Sequence, residues 1–289
     1  MAKPAQKFKA TMQQEFEFQA KPTSIIIPVF NQISFTKICL ETLAADFLRP
    51  SLEVIIIDNG STDGTSEYLQ EVSRSWASDS ANQSHGNDKV LKVISNSENR
   101  GVAPAWNQGL QASALDYIAI LNNDLHLTTG WITGCQWALK HHQLALVSPY
   151  AATGELNYEV EARAKQFTAQ NRKKLWRDYD FCCVMMPRST YQAIGLFDEN
   201  YLVGGYEDTD YSYRLRKAGL GFGVSGAAYI HHFGSQTLGG FKKRGDKHAA
   251  HNKNYFISKW GEDPSRFAGT WRGKILKSWR RFKMKYGSM

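Results

Sequence analysis

Short apolar runs that stop in polar clusters constrain this chain most. "TSIIIPVFN" ends at Asn31, "LEVIIIDNGSTDGT" turns polar at Asp58 and Asn59, and "YIAILNND" ends in Asn122, Asn123 and Asp124, with "VLKVISN" as a further run before the last. Helical patterns lie between them, in "SFTKICLETLAA", "SEYLQEVSRSW" and "ENRGVAPAWNQGLQAS". The last places Ala103, Trp106, Leu110 and Ala114 at helical spacing, so Asn99, Arg100 and Gly101 fall in the loop that enters a helix. Strand and helix alternating in this way predict an α/β fold with a mainly parallel sheet. The first strand is expected to break at Pro28. Asn and Asp serve ordinary turns, but open α/β sheets bind ligands outside the carboxyl ends of their strands. The three polar clusters are therefore expected to meet there.

The second half is less regular. "DYDFCCVMMP" reads as a strand, followed by a short helix capped at Gly195, a Gly-rich loop, and a helix from about Glu207 to Ala218 that stops at Gly219. The latter part of residues 73–89, polar and poor in bulky aliphatics, reads as a surface loop. No internal repeat and no dividing linker is visible.

With 289 residues and 42% hydrophobic content, the chain can bury a substantial core. Its longest apolar runs, such as Ile25 to Ile27 and Val54 to Ile57, fall far short of the roughly 18 residues that span a bilayer. The N-terminal segment lacks the apolar core, about 7–15 residues long, of a secretion signal, and residues 1–21 read as a flexible lead-in to a cytoplasmic protein. Cys39, Cys135, Cys182 and Cys183 have no paired CxxC spacing, so they read as reduced, buried thiols. Adjacent Cys182 and Cys183 are expected to face opposite sides of a strand.

The net charge of +8 is uneven. From Phe241 onward 14 Lys and Arg stand against 3 Asp and Glu, a net of +11, which leaves −3 for residues 1–240. A nearly neutral body with a basic tail argues against nucleic acid as a partner. It points instead to an anion-binding or attachment element at the C-terminus.

Taken in order, "SIIIPVFNQ", "IIIDNGSTDGT", "NSENRGVAPAWNQG", "ILNND", "GLFDENYLVGGYEDTDYSYRLRKAG" and "HHFGSQT" resemble the motif series of family 2 glycosyltransferases with the GT-A fold. The resemblance covers residues 22–240, as one domain followed by a basic extension over 241–289. It implies inverting, metal-dependent, non-processive sugar transfer from a UDP-, dTDP- or GDP-linked donor to an acceptor glycan, glycolipid or protein. The Gln-x-x-Arg-Trp motif of processive members is not found.

By this resemblance the "NND" triplet is the metal motif, with Asn122 where an Asp is common and Asp124 as ligand to Mn2+ or Mg2+. His232, or else His231, would be a further ligand. Pro28, Phe30, Asn31, Asp58, Asn99, Arg100, Gly101, Asn107, Asn122 and Asn123 are expected around the nucleotide sugar, with Asp58 on its base.

The general base should come from "YEDTDYSYRLRKAG". On a helix starting near Glu207, Asp208 lies close to the face of Tyr211 and Leu215, and a carboxylate beside an apolar face is costly unless paired or used. Asp208 is the expected base and Glu207 the substitute, although an acid at a helix N-terminus also suits the dipole. Asp210 and Arg214 read as a surface ion pair and Asp63 as a helix cap.

In the tail, Trp271, Ile275, Trp279 and Phe282 form one helical stripe among basic residues, suited either to docking on the domain or to peripheral contact with the inner face of a membrane. "KKRGDKHAAHNKNYF" reads as a basic lid over the diphosphate, in which the His248 and His251 pair is incidental. Two rivals are a nucleotidyltransferase, which would need a Gly-rich basic loop in place of "PVFNQ", and a catalytically silent nucleotide-sugar-binding or scaffold protein, which the Asn at position 122 keeps open and the retained "YEDTD" and "HHFGSQT" weigh against.

Overall fold

A computed structural model describes residues 20–46, 52–81, 90–176, 179–234 and 247–263. Among them nine strands form one mixed sheet. The strands are β1 (Thr23–Val29), β2 (Leu52–Asp58), β3 (Val90–Ser95), β4 (Tyr117–Leu121), β5 (Leu125–Leu127), β6 (Leu146–Thr153), β7 (Leu175–Trp176), β8 (Cys183–Pro187) and β9 (Phe222–His232). The helices are α1 (Ile33–Asp46), α2 (Thr65–Ala81), α3 (Val102–Ala112), α4 (Trp131–His141), α5 (Val160–Asn171), α6 (Arg188–Ile194), α7 (Glu207–Lys217) and α8 (Lys247–Trp260). None is long and apolar enough to cross a membrane.

Strand order is β3-β2-β1-β4-β8-β6-β9-β5, with β7 paired to β9. The first four are parallel, as the βα rhythm predicts; β8 is antiparallel to both β4 and β6, and β9 is parallel to β6. The carboxyl ends of β1, β2, β4, β6 and β9 therefore share one edge with the amino end of β8. Every expected site residue on a strand end comes to that edge.

Strand residues alternate between two apolar layers, as a period of two requires. Ile25, Ile27, Val54, Ile56, Ala119 and Leu121 pack with Leu40 and Leu43 of α1 and Trp131 and Leu139 of α4. Ile26, Ile55, Ile57, Ile118 and Ile120 pack on the other face with Trp106 and Leu110 of α3 and Tyr211 and Leu215 of α7. Two covered faces explain why these strands read as unbroken apolar runs.

Three local expectations are corrected. β1 does not break at Pro28 but runs to Val29. The Val29 carbonyl accepts the Asn59 N–H from the β2 side, so Pro28 directs its missing donor toward β4, where pairing has already stopped at Ile26. Cys182 lies in the turn before β8, and both it and Cys183 are buried in the same apolar layer as free thiols. Helix α2 continues past Trp76 to Ala81, and the surface loop expected after it lies at residues 82–89, outside those described.

The Asp210 and Arg214 pair is the fourth correction, because it is not on the surface. Asp210 is fully buried and accepts from Arg214 Nε at 2.9 Å, Lys259 Nζ at 2.7 Å, Trp260 Nε1 at 2.8 Å and Tyr201 Oη at 3.2 Å. Lys259 also reaches Asp198 at 2.7 Å. Helix α8 is thereby fastened to α7, with Phe256 packed between Tyr201 and Tyr213. The Asp210→Ala variant should lose about 3 kcal/mol of stability, because the partly buried Arg214 would lose its carboxylate while Lys259 keeps only Asp198; denaturant unfolding measures this.

Candidate active site

At the head of β1, Asn31 and Gln32 adopt left-handed backbone conformations, with φ of 56° and 63°. The Asn31 side chain accepts the Thr62 N–H at 2.7 Å, while its own N–H donates to Ser61 Oγ at 2.8 Å. This joins the β1 turn to the turn after β2. Asn123 donates to Thr36 Oγ1 at 2.9 Å and to the Asn31 carbonyl at 3.4 Å, which brings the β4 turn against the same corner. The three polar clusters do meet.

Asp58 uses its carboxylate within this corner, accepting from the Ser61 N–H at 3.0 Å and from Ser66 Oγ. Asp63 bonds Thr65 N–H at 3.2 Å, as expected of a cap, and also takes the Ile33 N–H at 3.0 Å at the start of α1. Pro28 and Phe30 are half-buried beside them.

Asn59, read from the sequence only as part of the polar cluster after β2, organises the next loop. Buried to 4% exposure, it donates to Asn99 Oδ1 and the Gly101 carbonyl and accepts from Asn96 Nδ2 and the Arg100 N–H. The Arg100 side chain is exposed. Asn107 has a different duty from the one expected. Its amide donates to the Phe197 carbonyl at 2.9 Å and Glu199 Oε1 at 2.8 Å and accepts the Phe197 N–H at 2.8 Å. Both of its donors are spent on tying α3 to residues 197–199, and it is buried to 2% exposure.

Asp124 and His232 converge as the motif series implies. Asp124 is 3% exposed, and its Oδ1 lies 3.2 Å from His232 Nε2. Burial disfavours the imidazolium, but the Asp124 and Asp180 carboxylates together raise the His232 pKa above its ordinary value. His231 is committed elsewhere, with Nδ1 2.8 Å from Tyr158 Oη and Nε2 2.9 Å from the Gly154 carbonyl. Neighbours on an extended strand face opposite sides, so His232 is the one aimed at the edge.

Asp180, which the sequence reading did not single out, joins the pair. Ligand atoms of Asp180, Cys182 and His232 lie within 4.8 Å of one another. Asn122 donates its N–H to the Cys182 carbonyl at 2.8 Å, and β4 pairs with β8 up to Leu121 opposite Cys183. Asp124 and Asp180 both favour the charged form of His232 and so lie about its ring. The cluster of Asp180, Cys182 and His232 is a carboxylate, a thiol and an imidazole, and Asp124 adjoins it through His232; the carboxylates and the imidazole suit a divalent cation of hard to borderline character. Only strand pairing brings positions 124, 180 and 232 together.

Glu207 and Asp208 open α7, but their burial is the reverse of that expected. Glu207 stands four residues from Tyr211 and so turns inward to 5% exposure, with Oε2 lacking a hydrogen bond. Burial, followed by the Asp208 charge, pushes its pKa up. Asp208 is half-buried and accepts the Thr209 N–H at 2.6 Å. It lies close enough to Tyr179 to raise that phenol's pKa, second to burial. Tyr179 precedes Asp180 in the segment that enters β8, so the Asp208 charge lies near that segment.

The segment expected to form a basic lid lies elsewhere over its described part. Residues 247–260 form α8 against α7, and His248 and His251 on it are exposed. Residues 271–285 of the amphipathic stripe lie outside those described.

A family model described as "Glycosyl transferase family 2" matches residues 24–195. The glycosyltransferase AglE of Haloferax volcanii is 22% identical over 204 residues, 68% of this chain and 62% of that protein. The chondroitin synthase of Escherichia coli is 24% identical over 246 residues, 72% of this chain but 34% of that one. The chain thus spans less than two thirds of the length of either. Among solved structures, the mannosyltransferase PcManGT from Pyrobaculum calidifontis, in complex with GDP-Man and Mn2+, superposes with a TM-score of 0.58 at 17% identity, over 91% of this chain and 73% of that one.

Proposed function

The chain belongs to glycosyl transferase family 2 and has the GT-A fold, and from that premise we propose that it moves one sugar from a nucleotide diphosphate donor to an acceptor hydroxyl, with inversion and with a divalent cation. The gathering of Asp124 and Asp180 about His232, with Asp208 close to Tyr179 beside Asp180, supports this reading. Those three residues would hold Mn2+ or Mg2+. When bound, the cation supplies Lewis-acid stabilisation to the departing diphosphate.

The chain's own residues do the rest. Asp208 accepts the proton of the acceptor hydroxyl as that oxygen bonds to the anomeric carbon, while the bond from that carbon to the diphosphate oxygen breaks. A single displacement with no covalent sugar intermediate inverts the centre. Glu207, buried behind Asp208, is the substitute base. The Asn31, Asp58 and Asn59 corner fixes the pocket wall for the nucleotide, with Pro28 and Phe30 beside it and the Asn99–Gly101 loop closing one side. Each Asp58 oxygen keeps a further lone pair for a base or ribose donor.

The donor nucleotide is UDP, dTDP or GDP, and the acceptor is a glycan, glycolipid or protein reached from the cytoplasm, with peripheral membrane contact through the basic tail. Product formation from a panel of nucleotide sugars, with and without Mn2+ or Mg2+, tests the reading. Turnover of one donor, lost on chelation and restored by the cation, is the expected result, and the anomeric configuration of the product by NMR reads inversion. Cation-dependent donor binding with no product from any acceptor class would replace this reading with the silent nucleotide-sugar binder.

A further inference from the structure

Residues 201–206, "YLVGGY", lead directly into Glu207 and Asp208, and their backbone is strained. Val203 has φ of 59° and Tyr206 of 77°, both in the left-handed region, with Gly205 at 100° between them. A β-branched residue such as Val203 rarely occupies that region, and it persists there only when its surroundings over-determine it. Such strain immediately before a catalytic carboxylate needs a restraint.

Two contacts supply it. On one side the Val203 carbonyl accepts the Val102 N–H at 2.8 Å, and Gly101 comes so close that a Cβ there would sit 3.2 Å from the same oxygen. On the other side stands Asn252 of α8, fully buried. Its Oδ1 accepts the Leu202 N–H at 2.9 Å, and its Nδ2 reaches the carbonyls of Leu202 at 3.0 Å, Gly205 at 2.9 Å and Gly204 at 3.4 Å. One side-chain amide thus holds both ends of the strained turn. Helix α8 is itself joined to α7 through Lys259 and Trp260 on Asp210, so the clamp is anchored on the helix that bears Asp208.

We propose that Asn252 is a positioning residue for sugar transfer: through residues 202–205 it sets the approach of the Asp208 carboxylate to the acceptor. The α8 segment lies outside the residues matched by the family model. The inference rests on the reading of Asp208 as base, and it assigns α8 a place in the transfer step that the donor-binding corner does not require.

The full chain carrying Asn252→Ala tests it. A misplacement of about 1 Å in a reacting group costs on the order of 10²-fold in rate, so kcat should fall by that order while donor KM stays close to wild type. Amide exchange, read without any donor, should speed at Leu202, which loses its acceptor. Adding Val203→Gly to Asn252→Ala should recover part of kcat, because glycine occupies the left-handed region without the strain. An Asn252→Ala protein with wild-type kcat overturns the proposal, as does one in which kcat and donor KM worsen together. If only the wild type's own turnover is missing, the transfer reading has failed instead, and the proposal falls with it.

Discussion

Asp208→Asn should reduce sugar transfer by about 10³-fold while donor and cation still bind. Asparagine keeps the shape of the side chain and an oxygen for the Thr209 N–H, so α7 can start as it does in the parent protein. What disappears is the capacity to take a proton. A calorimetric titration with the donor alongside initial-rate kinetics separates the two effects. Unimpaired transfer by Asp208→Asn would remove Asp208 from the mechanism and move the role to Glu207.

Glu207→Gln provides the complementary measurement. The parent carboxyl has its pKa raised above the ordinary 4.5 by burial and then by Asp208. A carboxyl whose folded pKa is raised contributes its stability below the unfolded value, and that stability is lost as pH rises through the folded value. The parent protein should therefore lose stability with rising pH in that window, and Glu207→Gln should lack this part of the slope. Unfolding midpoints across the window measure it. Parallel profiles for the two proteins would mean that Glu207 is not held protonated.

Asp124→Ala should have an effect of similar size, with a different signature. Asp124 is a buried carboxylate in contact with the His232 ring, and the triplet it belongs to has Asn at its first position. Removing it should abolish the stimulation of donor binding by Mn2+ and lower turnover by about 10²–10³-fold, the scale of several kcal/mol of lost charge stabilisation. Asp180 would remain as the sole carboxylate of the cluster. Retained cation-dependent donor binding in Asp124→Ala would overturn the assignment of Asp124 as a ligand.

The strands with two buried faces were legible because each holds an apolar run on both faces, such as Ile25–Ile27 and Val54–Ile57, and their polar ends were legible as a shared edge because parallel strands bring like ends together. Asp124 and His232 could be named from ordered motifs, and opposite facing along a strand explains why His232 and not His231 turns to the edge. Asn107 and Asp210 were misjudged for a common reason. Both are polar residues on helices, and from sequence a polar helical position looks solvated or free for ligand. Each is instead spent inside the protein, on partners 90 and 49 residues away in the chain.

The amino-acid sequence by itself determined the layered α/β architecture, the edge at which chemistry would occur and the residue types gathered there, because apolar periodicity and strand polarity act locally. Only the tertiary structure decided that Asp180 joins Asp124 beside His232, that Glu207 and not Asp208 turns into the core, and that α8 clamps the turn before them. Those outcomes depend on antiparallel register, helix rotation and docking between distant segments, and no short-range pattern in the chain encodes them.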